Sequence, residues 1–143
     1  METTTNLRDL FAAEDTNAVA RKKDHIELAF KSQVKENQVD KRFDYEPVLS
    51  KHPDKNTLPH FQCLGKTMRS ALWVSSMTGG TELANKINHN LARACQDFGM
   101  GMGLGSCRSL LYSDEYLKDF NVRPLIGNNL PLYANLGIAQ LEQ

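Results

Sequence analysis

The chain has 143 residues, 41% of them hydrophobic and 24% charged, with a formal net charge of +0. That is enough length and apolar content for one modest soluble domain, and the neutral balance excludes a bulk electrostatic attraction to nucleic acid or an anionic membrane. No apolar run approaches the roughly 20 residues that span a bilayer, and the acidic opening stretch METTTNLRDLFAAEDTNAVA has neither the apolar core of a signal peptide nor the basic character of a transit peptide.

Residues 1–16 show no apolar period and are expected to be mobile. A helix is predicted from Thr16 or Asn17, either of which can cap it. Within it Arg21, Lys22 and His25 fall at i, i+1 and i+4, so Arg21 and His25 stand one turn apart with Lys22 beside them. Ile26 and Phe30 form an apolar pair on another edge. Charge is uneven here: residues 1–20 carry one Arg against two Asp and two Glu, whereas residues 21–42 carry seven Lys or Arg against four Asp or Glu. A basic run is ordinarily a solvated helix face, so spacing has to decide whether this one is more.

Residues 40–60, DKRFDYEPVLSKHPDKNTLPH, hold three prolines and several turn formers and read as an irregular connection. Phe61-Gln62-Cys63-Leu64 and Met68 to Val74 flank Gly65-Lys66 as the arms of a hairpin. In the second arm, Ala71-Leu72-Trp73-Val74 is continuously apolar, as in a strand buried on both faces of a parallel sheet. The loop Ser75-Ser76-Met77-Thr78-Gly79-Gly80 leads to a helix opening at Thr81 or Glu82. Its stripe, Leu83, Ile87, Leu91, Ala94 and Phe98, has the spacing of an amphipathic helix on a sheet, and Gly99 ends it. A second strand, Met100 to Leu104, runs into Gly105-Ser106-Cys107-Arg108. A third helical stretch, about Ser113 to Phe120, leads through Pro124 to a third strand, Leu132 to Asn135, and after Gly137 a further helix begins. The chain thus divides into residues 1–16, residues 17–70 with a helix, connection and hairpin, and residues 71–143 with three βα units.

Strands alternating with helices mean βαβ units and a parallel sheet. Three small-polar loops, Ser76 to Gly80, Gly105 to Arg108 and Asn135 to Gly137, follow the three strands. That edge of a parallel α/β sheet or barrel is where ligands bind. Ser, Thr and Asn supply short hydrogen-bonding groups there, and Arg108 supplies a fixed fork for a phosphate. Loops of this composition also occur for turn chemistry alone, so the weight lies in all three sharing one edge. Gly101-Met102-Gly103-Leu104-Gly105 matches a dinucleotide loop poorly, because no helix opens immediately after it. No Walker pattern or G-x-S-x-G elbow occurs. Cys63, Cys95 and Cys107 form no C-x-x-C pair, and their sparse count suits a reducing cytosol, each as a small buried or half-buried thiol. Among His25, His52, His60 and His89 only His25 has a suggestive neighbourhood, and His89 is expected on the surface.

Arg21-Lys22-Lys23-Asp24-His25-Ile26, Ser76-Met77-Thr78-Gly79-Gly80, Gly105-Ser106-Cys107-Arg108 and Asn135-Leu136-Gly137, in this order and spacing, resemble the type 2 isopentenyl-diphosphate delta-isomerases. Each motif alone is weak, but four in order are specific, and they span the chain from about residue 20 to its end. The resemblance implies an α/β fold, the N-terminal part of a TIM (β/α)₈ barrel. It implies FMN, used in reduced form with NADPH as the reductant, and Mg2+. It implies interconversion of isopentenyl diphosphate and dimethylallyl diphosphate in isoprenoid biosynthesis. The setting would be cytoplasmic, with no nucleic-acid or membrane partner and a homo-oligomer at full length. Carried over by motif, Arg21 and Lys22 grip the substrate diphosphate with His25 nearby. Ser76, Met77 and Thr78 lie along the flavin. Ser106 touches the flavin and the substrate region, Arg108 helps hold the diphosphate, and Asn135 hydrogen-bonds the flavin. No catalytic residue and no metal ligand falls within the chain, because the family's magnesium-binding Glu, substrate-binding Gln and Gly-rich flavin-phosphate loops lie beyond Gln143 by pattern.

A (β/α)₈ chain typically runs about 250 residues, and this one supplies about three of its eight units. The expectation is therefore a truncated chain, inactive by itself. Two other readings stay open: an inactive fragment that survives by pairing with a complementary chain, and a different FMN- or phosphate-binding barrel that shares only the loop chemistry. The helix carrying Arg21, Lys22 and His25 disfavours the last, since a generic barrel has no need of it before the first strand.

Overall fold

The computed structural model describes residues 17–32, Arg42, Glu46, Val48 and residues 59–141. The expectations for residues 1–16, His52 and most of the 40–60 connection lie outside the described residues. The first element is helix α1, Ala18–Lys31, with Asn17 at its N-cap. It meets the rest of the chain through half-buried Lys22 and buried Ile26. Phe30 lies one turn past that contact and is 76% exposed, so the expected Ile26–Phe30 pair is not buried together.

A small hairpin follows. Strands β1, Phe61–Cys63, and β2, Lys66–Met68, pair antiparallel with Phe61 opposite Met68. The turn residues Leu64 and Gly65 both have positive φ, 47° and 74°, as a two-residue turn matched to strand twist requires. The second arm is shorter than the expected Met68 to Val74. The reason is local: the Arg69 N–H donates to the Gly99 carbonyl at 2.9 Å, which draws the chain off the ladder.

Three parallel strands lie side by side in sequence order: β3, Trp73–Val74; β4, Gly101–Ser106; β5, Leu132–Asn135. β4 is central and buried from Gly101 to Gly105. The expected burial of 71–74 on both faces is not met, and Leu72 is 65% exposed, because β3 is an outer strand of this sheet. Trp73 instead stacks on Tyr133, with ring centroids 5.3 Å apart. The two outer strands can do this across β4 because Gly101 lies between them. A Cβ on Gly101 would stand 2.1 Å from the Trp73 ring. The glycines of 101–105 therefore serve close packing across a strand.

Helix α2, Glu82–Phe98, connects β3 to β4. The Ala84 N–H donates to the Thr81 side chain at 3.1 Å, and Gly99 closes the helix with a left-handed φ of 67°, as its sequence anticipates. Its buried face differs from the predicted stripe. Ala84, Asn88, Ala92 and Cys95 are buried, whereas Leu83 and Phe98 are 50% and 67% exposed. Small side chains let the helix lie close to the sheet, and the bulkier neighbours are left at the margins. The core beneath it includes Met102, Leu104, Phe120, Val122 and Ile126.

Arg69 ties the hairpin to the C-terminal end of α2, donating to the carbonyls of Gln96 and Asp97. Those carbonyls have no partner inside the helix, and a cation there also opposes the helix dipole. Arg69→Met is expected to lower unfolding free energy by about 1 kcal/mol, since the group is exposed. A urea titration with an unchanged midpoint would remove the assigned role.

Of the single helix expected at 113–120 only the last turn forms, helix α3 at Leu117–Phe120; a 3₁₀ turn at Arg108–Leu111 precedes it and helix α4 at Arg123–Ile126 follows. The Glu115 N–H donates to the Ser113 hydroxyl at 3.1 Å, a local bond that competes with helix continuation. Pro124 then sits in the first turn of α4, where a missing N–H does no harm. After β5 the anticipated helix is a 3₁₀ turn, Ile138–Gln140. Among the described residues no helix is long and apolar enough to cross a membrane.

Candidate functional site

The C-terminal ends of the parallel strands open onto a cavity of about 470 Å³ bounded on one side by α1, within the ~300–1,000 Å³ range of small-molecule sites. Seven of the nine residues singled out from the sequence line it: Arg21, Lys22, His25, Met77, Ser106, Arg108 and Asn135. Their convergence follows from the topology. Ser106 ends β4 and Asn135 ends β5, and the two are register partners. The Cys107 N–H donates to the Asn135 carbonyl at 2.8 Å, which holds the two loops together. The Ser106 hydroxyl accepts from the Arg108 N–H at 3.4 Å, turning the chain so that Arg108 follows directly into the cavity wall.

Ser76 and Thr78 do not line the cavity. They hold the loop that presents Met77. Ser76 Oγ occupies the space a side chain on Gly103 would take. Thr78 is buried, and its carbonyl accepts from the Asn88 side chain at 3.2 Å. The same amide nitrogen donates to the Asp119 carbonyl at 3.0 Å, so Asn88 clamps the loop after β3 to α3. Phe120 packs directly on Gly79, where a Cβ would come within 2.2 Å of its ring.

Lys22 reaches over this junction. Its Nζ lies 5.6 Å from the centroid of the Phe120 ring, a cation–π distance. Burial draws its pKa below the ordinary lysine value, while the neighbouring Cys107 and Asp119 act in the opposite direction. His89 is half-buried, with Nε2 positioned to donate to the Lys118 carbonyl at 3.0 Å. It braces α2 on α3 away from the cavity. Cys95 and Cys107 are buried and Cys63 is half-buried, all as free thiols, in line with the sequence reading.

Sequence reasoning missed Ser109, Tyr112, Tyr116 and Gln140; Gly80 and Gly137, members of the loops it singled out, complete the cavity lining. Ser109 Oγ is buried and has no hydrogen-bond partner among the described residues. Tyr116 falls inside the helix expected at 113–120 and Tyr112 just before it, so nothing in their spacing placed them on the cavity side. The lining holds Arg21, Lys22 and Arg108 and, among the described residues, no Asp or Glu. In a chain of zero formal net charge, that is a concentration of positive charge in one cavity, which Met77, Ser106 and Asn135 also line.

The donor set can be tested against the groups the sequence implies. Met77, Ser106 and Asn135 offer an apolar contact, a hydroxyl and an amide, suited to one edge and face of a flavin ring. The partnerless Ser109 hydroxyl is a further donor for a bound polar group. Magnesium fits less well: no carboxylate lines the cavity, and no cluster of three or more His, Cys, Asp or Glu able to hold a metal occurs among the described residues.

The chain is similar to curated proteins named isopentenyl-diphosphate delta-isomerase. It is 38% identical over 134 residues to the one from Rickettsia typhi, an alignment covering 90% of this chain and 38% of that protein. It is 38% identical over 133 residues to the one from Rickettsia prowazekii and 39% identical over 133 residues to the one from Rickettsia rickettsii, each covering 87% of this chain and 37% of the relative. The chain thus spans less than two fifths of the length of these relatives. No protein-family model matches it.

Proposed function

We propose that these residues form part of the active site of a flavin-dependent isopentenyl-diphosphate delta-isomerase, built on the first strands of a (β/α)₈ barrel. The observation that carries this is the cavity lined by the cations Arg21, Lys22 and Arg108 together with Met77, Ser106 and Asn135, and by no carboxylate among the described residues. The relatives' name supplies the diphosphate substrate that such a wall suits. The sequential parallel order β3-β4-β5 is that of consecutive barrel strands, and the cavity lies at the strand ends where barrel enzymes bind substrate.

On this reading the cations and His25 take the diphosphate. Several cations together anchor it, and its binding energy positions a small hydrocarbon tail that has no polar handle of its own. Tyr112 and Tyr116 supply apolar surface for that tail. Met77, Ser106 and Asn135 would hold the flavin ring, with Thr78 and Ser76 fixing the loop behind it. Reduced FMN, when bound, supplies the proton exchange at the allylic carbons that no side chain of this cavity provides. NADPH is the reductant on this reading, and no described residue is assigned to it.

The test is turnover. Full-length protein, supplied with FMN, a reductant and Mg2+, is expected to convert isopentenyl diphosphate to dimethylallyl diphosphate, followed by proton NMR. Absence of turnover in flavin-loaded protein would defeat the proposal. Arg21→Ala is expected to raise KM about tenfold or more with flavin content unchanged, as loss of uniform substrate binding does. Loss of flavin in that variant would contradict the division of the cavity.

A further inference from the structure

Asp119 is 0% exposed, and aspartate is almost never fully buried without a partner. One carboxylate oxygen, Oδ2, accepts from the Gly80 N–H at 3.1 Å. The other, Oδ1, has no hydrogen-bond partner among the described residues. The proposed reaction gives this group no task.

Three contacts connect it to Lys22. Gly80, which Asp119 grips, has a left-handed φ of 76°, and a Cβ there would stand 2.8 Å from Lys22 Nζ. Phe120, next in sequence, lies under the same ammonium. Asp119 also acts electrostatically on Lys22 in the sense that favours its charge. A buried carboxylate with an open oxygen is stabilised by a neighbouring cation, and a desolvated ammonium by a carboxylate.

We propose that Asp119 is a positioning residue for the anion wall: its buried carboxylate fixes the Gly79–Gly80 turn and holds the Lys22 ammonium, charged, against that turn at the edge of the cavity. This rests on the reading of the cavity as a diphosphate site. Asp119 touches neither substrate nor cofactor on this reading and acts through Lys22.

The sign of the effect follows from the surroundings. Among the described residues, the charged or titratable groups that share the cavity or act on Lys22 are Arg21 and His25 on α1, Cys107 and Arg108 after β4, and Tyr112 and Tyr116 before α3; from α2 the neutral Asn88 bonds the Asp119 carbonyl. Burial disfavours the ammonium, and Cys107 and Asp119 oppose that. Neutralising Asp119 therefore makes Lys22 lose its proton at a lower pH. A diphosphate binds the ammonium and not the amine. Its affinity is full below the free-state midpoint of Lys22 and falls as pH rises through it.

The experiment uses the full-length protein with lysine labelled at Cε with 13C, and inorganic pyrophosphate as the ligand. Asp119→Asn keeps an acceptor for the Gly80 N–H and removes only the charge. It is expected to lower the Lys22 titration midpoint by about 1 pH unit and to move the alkaline fall in pyrophosphate affinity down with it. In a Lys22→Arg background, where the guanidinium does not titrate in this range, that fall should be absent, and the same substitution should leave the pH profile of pyrophosphate affinity unchanged. An unmoved Lys22 midpoint in Asp119→Asn overturns the proposal. A moved midpoint in a protein that never binds pyrophosphate supports the coupling and overturns the diphosphate reading. Should Asp119→Asn fail to fold, Asp119→Ser is the second variant: the Lys22 midpoint is expected to fall there as well, and an unmoved midpoint counts against the coupling.

Discussion

Gly105→Ala is expected to destabilise the protein by about 3 kcal/mol, the upper end of what overpacking costs, and to disorganise the cavity along with it. Gly105 is the last glycine of β4, one residue before Ser106. An added Cβ would stand 2.5 Å from the Thr78 carbonyl oxygen and 2.7 Å from both its carbonyl carbon and its nitrogen. Those are backbone atoms, so no side chain can swing aside. Either β4 or the 76–80 loop has to move, and the loop carries Met77 into the cavity while Asn88 clamps it to α3. Gly65→Ala is the natural comparison. Gly65, unlike Gly105, has a positive φ, and a Cβ there meets nothing within 4 Å. That substitution is expected to cost about 1 kcal/mol of backbone strain and to leave ligand binding alone. Urea unfolding of both variants checks the pair. Equal destabilisation would mean that the approach of Thr78 to β4 is not what constrains Gly105.

The residues behind this contrast also show which parts of the structure could be read from the sequence. The order of elements from β3 to β5 could, because each strand ends in a small-polar loop containing glycine and α2 has unambiguous caps in Thr81 and Gly99. The convergence of Ser106, Arg108 and Asn135 followed from that order alone. Side-chain depth did not. Hydropathy gives weight to Leu83 and Phe98, yet close helix–sheet packing selects Ala84, Asn88, Ala92 and Cys95, of which Asn88 is polar and looks like a surface residue. Asp119 was invisible for a similar reason. Its burial is fixed by Gly80, thirty-nine residues earlier, and nothing local distinguishes it from exposed Lys118 beside it. Tyr116 was missed because the break at Ser113 interrupts the expected helix, and Tyr112, just ahead of that helix, belongs to no sequence pattern that points to the cavity.

The second large effect concerns the wall itself. Arg108→Ala is expected to weaken inorganic pyrophosphate binding about 10- to 100-fold at low salt, the value of one or two charge-assisted hydrogen bonds. Arg108 is half-buried, so salt screens it less than an exposed side chain. It follows β4 directly, its N–H bonded to Ser106 Oγ, whereas Arg21 and Lys22 arrive on α1. The strand end thereby gives Arg108 a fixed origin, and a planar fork on a fixed origin can engage two phosphate oxygens at once. Arg108→Lys keeps the charge and loses the fork. It is expected to recover only part of the affinity, and isothermal titration of the two variants separates charge from geometry. Full recovery by lysine would make the site a pool of positive charge with no directional demand. In turnover of the full-length protein the same variants should act mainly on KM, because the diphosphate is unchanged between bound substrate and transition state and its grip is uniform binding. A loss confined to kcat would move Arg108 from the anion wall to the reacting end of the cavity, beside Ser106.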